Sequence, residues 1–105
     1  MAAPTDETPL LDLLASMTRD SMEASTLDPP TLMLVRIAAL AAVDGPPISY
    51  EMNVEAAADV GIDADRIRGV LTAIAPIIGV PRVVSATGKI AAALAIDIEA
   101  AMSGE

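Results

Sequence analysis

From Leu27 to Val43 the chain reads LDPPTLMLVRIAALAAV, which is apolar on every side of a helix except at Arg36. A helix of that kind is buried among others, and this one is too short and too charged to cross a membrane. Asp28 marks its start as an N-cap, with Pro29 at the first helical position. Asp44, Gly45, Pro46 and Pro47 mark its end, because glycine accepts a left-handed cap and proline cannot carry the helix on.

The pattern on either side predicts four more helices. Thr8 and Pro9 open one that runs to about Glu23, with Leu10, Leu13, Leu14 and Met17 on its apolar face and Asp12, Arg19, Asp20 and Glu23 on its wet side. A third helix starts between Pro47 and Ser49 and runs to about Val60, with Met52, Ala56 and Val60 inward, Val54 and Ala57 beside them, and Gly61 as its stop. Asp63 caps a fourth, from about Ala64 to Ile78, whose buried side is Ile67, Val70, Leu71, Ile74 and Ile78, with Pro76 kinking or shortening its last turn. Beyond Gly79 a fifth, from about Pro81 to Met102, carries Val83, Val84, Ile90, Leu94, Ile96 and Ile98. Gly88 lies inside it at a cost of about 1 kcal/mol of helix propensity relative to alanine, so it is either a tolerated weakness or a place where another backbone comes close. Five helices joined by short loops make an all-α fold, a single compact domain over residues 8–105 behind a disordered tail at residues 1–7.

Composition adds the question of what covers so much apolar surface. The chain has 105 residues, 53% of them hydrophobic but only 1% aromatic, so its core is built from small aliphatic side chains. A domain of this size buries only about 60 to 70% of its surface, and an apolar excess then calls for a homo-oligomer. The net charge of −9 and the scatter of six basic residues argue against nucleic acid and against an anionic membrane surface as partners. With no cysteine and no histidine, thiol chemistry and the commonest general base and metal ligand are all missing, and neither a metal nor a cofactor is expected. No spanning segment or signal peptide is read, which points to the cytoplasm.

Chemistry then rests on few residues. Arg36, the only charge in the central helix, needs a partner if buried: either an acid such as Asp44, Glu51 or Asp59 that fixes packing or a subunit contact, or the carboxylate of a ligand held by its fork. Loss of a buried ion pair would make Arg36→Ala cost about 2 to 4 kcal/mol. Ser49, Tyr50, Glu51 and Asn53 gather at the start of the third helix, where amides and the dipole favour anions. Ser49 has no histidine to activate it, which excludes a serine hydrolase. Glu51 is either an acid–base residue or a dipole partner on the surface, and Tyr50 reads as an interface contact. Asp59, Asp63 and Asp65 surround a glycine turn but lack the spacing of a calcium loop. Arg82 stands at a helix start, an unfavourable place for a cation, and is a modest candidate for meeting a partner or substrate.

Three pieces, LDPPTLMLVRIAALAA, the helix ending AAADVGI, and DADRIRGVLTAIAPIIGVPRVVSA, resemble in order and punctuation the carboxymuconolactone decarboxylase-like family, which includes alkylhydroperoxidase D-like proteins. The resemblance covers about Leu27 to Leu94. It implies an alkylhydroperoxidase D-like helical fold and a homo-oligomer, a trimer or a hexamer. Redox members of the family carry a C-x-x-C pair, a histidine four residues on, and a glutamate on the preceding helix. Those positions fall here on Pro46 and Ser49, on Asn53, and on Met33 or Leu34, so a thiol peroxidase is argued against. The leading expectation is an oligomeric binding or structural protein with a small apolar pocket near Arg36, Ser49, Tyr50 and Asn53. Two alternatives stay open: a cofactor-independent decarboxylase or lactone-processing enzyme on a small carboxylated substrate, with Arg36 as anchor and Glu51 as the acid–base residue, and a protein-interaction module.

Overall fold

The computed structural model describes residues 8–102, so the tail expected at residues 1–7 lies outside them. The described chain is all-helical: α1 Thr8–Ala24, α2 Pro29–Val43, α3 Pro47–Asp59, α4 Ala64–Ile78 and α5 Val80–Met102. Capping explains most of these limits. Asp28 accepts the Thr31 amide at 3.2 Å and the Thr31 hydroxyl at 2.8 Å, and Asp63 accepts the Arg66 amide at 2.9 Å. Each satisfies an otherwise orphaned donor of a first helical turn. Gly61 and Gly79, at φ 85° and 88°, close α3 and α4 in a region that other residues rarely enter.

Two details depart from the sequence reading. The left-handed residue that ends α2 is Asp44, at φ 56° and ψ 55°, and not Gly45. Aspartate tolerates this conformation, and here α5 holds its carboxylate in place, as described below. The second concerns Pro76, which does not end α4 early. Pro76 has no amide to donate to the Thr72 carbonyl one turn back, and α4 runs on for two residues beyond it.

α2 packs against α3, α4 and α5, and the core follows it. Leu32, Met33, Ile37 and Ala41 of α2 meet Tyr50, Val54 and Ala57 of α3, Ile67 and Leu71 of α4, and Ala86, Ile90 and Ala93 of α5. Tyr50 is fully buried, which corrects its expected place at an interface. It shares the stripe of Val54 and Ala57, and the alanines around it in the core leave room for one large ring. α2 is not buried all round, since Val35, Ala39, Ala42 and Val43 are exposed. α1 has no buried residue at all, and Leu10, Leu13, Leu14 and Met17 are each about half exposed. Helical periodicity marks an apolar face correctly but says nothing of what covers it. No helix among the described residues is long and apolar enough to cross a membrane.

A Cβ added at Gly88 would meet nothing within 4 Å, so no backbone of this chain approaches it. Gly88→Ala is therefore expected to raise stability by about 0.5 to 1 kcal/mol in urea denaturation. A loss instead would place another chain's backbone against this turn.

Candidate functional site

α1, α2 and α3 line a half-open cavity of about 700 Å³. α1 contributes Thr18 and Met22 to its wall, α2 contributes Leu32, Met33, Arg36 and Leu40, and α3 contributes Met52, Asn53, Ala56, Asp59 and Val60. The α3 residues follow one another at helical spacing, so a single face supplies them. Three helices each give one methionine, Met22, Met33 and Met52. Unbranched thioethers of this kind adapt to irregular apolar shapes.

Arg36 is half-buried in this wall. Its Nη2 donates to the Thr18 carbonyl at 3.3 Å and to the Ser21 hydroxyl at 3.0 Å, both on α1. The expected ion pair with Asp44, Glu51 or Asp59 is not formed: the salt bridges among the described residues are Asp65–Arg68 and Asp44–Lys89. These acceptors are neutral, so Arg36 stands in the cavity wall without an ion pair among the described residues. Asn53, on the same wall, donates through Nδ2 to the Ser49 carbonyl at 2.8 Å.

The other candidates stand elsewhere. Ser49 and Glu51 are half-buried and Tyr50 is in the core, and none of the three lines the cavity. Residues 49, 50 and 51 step about 100° apart around a helix, so neighbours in sequence cannot share one face. The carboxylate that borders the cavity is Asp59, which is exposed. Thr18, Met22 and Asp59 escaped the sequence reading as site residues. The spacing of Met52, Ala56 and Asp59 was the available signal on α3; nothing in α1 announced that Thr18 and Met22 would face α2.

Of the positions where redox relatives carry their groups, Met33 and Asn53 border the cavity, whereas Pro46, Ser49 and Leu34 do not. Asp63 is occupied as a cap and Asp65 with Arg68 at 2.7 Å, and no group of three or more acidic residues fit to hold a metal occurs among the described residues.

Behind the site, the turn between α2 and α3 is fastened to α5. Asp44 Oδ1 accepts from the Ser85 hydroxyl at 2.7 Å and from Lys89 Nζ at 3.1 Å, and Lys89 also donates to the Gly45 carbonyl at 2.8 Å. The Ser85 hydrogen bond, then that of Lys89, then the charges of Lys89 and Arg82 hold the Asp44 carboxyl below the usual carboxylate range. A group whose pKa is lower in the folded than in the unfolded chain stabilises the fold fully above its unfolded value, near pH 4, and loses that contribution as pH falls through the folded value. Asp44→Asn should accordingly flatten the fall in stability below about pH 4, as read from urea midpoints across an acid series.

The sequence model of the carboxymuconolactone decarboxylase family matches residues 9–93, which extends the likeness seen from Leu27 onward to include α1. No curated protein and no solved structure matches the chain.

Proposed function

Because this chain belongs to the carboxymuconolactone decarboxylase family, we propose that it is a cysteine-free member that binds a small carboxylated molecule between α1, α2 and α3, as a homo-oligomer and without peroxidase chemistry. The observation that carries this reading is Arg36, a cation with no ion-pair partner among the described residues, on the wall of a mainly apolar cavity that Asp59 also borders. The methionines and leucines suit a hydrocarbon body, and the planar fork suits a carboxylate in two parallel hydrogen bonds. Asn53, in the same wall, adds a polar side chain to the lining. Peroxide reduction by the family's dithiol route has no thiol to use in this chain. The acid–base reading is less well supported than binding, because Glu51 lies outside the cavity wall.

Calorimetric titration with octanoate and with octan-1-ol tests the proposal. Charge-assisted hydrogen bonds contribute about 1.5 to 3 kcal/mol, so octanoate should bind roughly 10- to 100-fold more tightly than the alcohol. Arg36→Met should bring the two ligands level. Its stability should fall by only about 1 kcal/mol, less than the 2 to 4 expected of a broken buried ion pair, since the bonds lost run to neutral and exposed groups. Equal affinity of octanoate and octanol for the unsubstituted protein would contradict the reading.

A further inference from the structure

The polar residues that border the cavity are Thr18, Arg36, Asn53 and Asp59, and every other lining residue is apolar. Two of the four spend donors on their own helices: Thr18 Oγ1 donates to the Leu14 carbonyl at 3.1 Å, and Asn53 Nδ2 to the Ser49 carbonyl at 2.8 Å. The other two carry opposite charges, yet the salt bridges among the described residues join other pairs. Arg36 bonds to neutral acceptors on α1, and the Asp59 carboxylate has no partner among the described residues. Nothing in the packing accounts for an acid at this place. Asp59 is the last residue of α3, where the carbonyl end of the helix dipole disfavours negative charge, and the last turn has no basic residue to offset it. On the cavity wall it opposes a plain carboxylate, and so does the chain's net charge of −9.

We propose that the cavity takes a zwitterion, a small molecule with a carboxylate at one end for Arg36, an ammonium at the other for Asp59, and an apolar chain between them. This rests on the reading of the cavity as a carboxylate site and names the chemical class that the site selects. The ammonium turns the opposition of Asp59 into attraction, and a molecule of no net charge does not approach against the field of an acidic protein. The two charges belong at opposite ends of a chain, because Arg36 on α2 and Asp59 at the end of α3 stand on different helices and form no ion pair with each other. Between them the methionines and leucines of the lining suit methylene groups. Chain length then decides which zwitterion reaches both.

Calorimetric titration at low salt with butanoate, hexanoate and octanoate, each beside its ω-amino derivative, and with octylamine tests the proposal. An ion pair to an exposed carboxylate is weak, so at the best length the ω-amino acid should bind about threefold more tightly than its plain counterpart, and the gain should fade in high salt. Asp59 is exposed, and Asp59→Asn leaves the core untouched. This variant should abolish the gain and at the same time tighten octanoate by about twofold, whereas a merely structural Asp59 would move both ligands the same way. No gain at any length, a gain that survives Asp59→Asn, or octylamine bound as tightly as the ω-amino acid would overturn the proposal, while binding of octanoate still upholds the carboxylate site. If no carboxylate of the series binds, both readings fall.

Discussion

Ile37→Ala is expected to destabilise the chain by about 3 to 5 kcal/mol, a large part of the roughly 5 to 15 that keeps a small domain folded. Ile37 is 0% exposed and sits midway along the helix that α3, α4 and α5 all contact. Removing its methyl and methylene groups forfeits their transfer free energy and leaves a void. Neighbours on three helices cannot all move inward to fill it, which places the loss toward the upper end. Val84→Ala, at a position 64% exposed, should cost less than about 0.5 kcal/mol and serves as the control. Urea titrations followed by circular dichroism at 222 nm measure both, and a loss below about 1 kcal/mol at Ile37 would show that α2 is not the centre of the fold.

Tyr50 gives the second large effect, with a change of sign inside it. Tyr50→Ala should cost about 3 to 5 kcal/mol, as truncation of a buried ring does. Tyr50→Phe keeps the ring and removes a hydroxyl that is buried with no hydrogen-bond partner among the described residues. Burial, and secondarily the charge of Asp44, push its pKa up, so the group stays neutral and no ionised form offsets the lost hydration. An unpaired buried hydroxyl costs about 1 to 3 kcal/mol, and the phenylalanine variant should recover part of that, about 1 kcal/mol. A clear loss on Tyr50→Phe would mean that the hydroxyl has a partner in solution.

Local chemistry made the helices legible before the structure. Asp28 and Asp63 cap through atoms three residues away, and the glycines at 61 and 79 stop helices by their own backbone freedom, so each signal lies within one turn. Tertiary partners are less accessible to such reading. Arg36 meets Ser21 across 15 residues and Asp44 meets Lys89 across 45, and no short-range pattern distinguishes Ser21 from Asp44 as the partner of Arg36. The cluster at residues 49–53 looked like one site because its polar residues are adjacent in sequence. A helix turns neighbours to different faces, and only Asn53 reached the cavity.

Whether the cavity is a binding site is reported directly by its methionines. Met22, Met33 and Met52 line it, whereas Met17 is exposed and outside the lining. Carbon-13 labelling of the six methionine methyls gives a signal for each of these four among them, assigned by substitution to leucine. Titration with octanoate should shift the signals of Met22, Met33 and Met52 together with one saturation curve, leave Met17 in place, and lose its effect in Arg36→Met. Shifts confined to Met17, or none at any of the four while octanoate is in excess, would contradict the account.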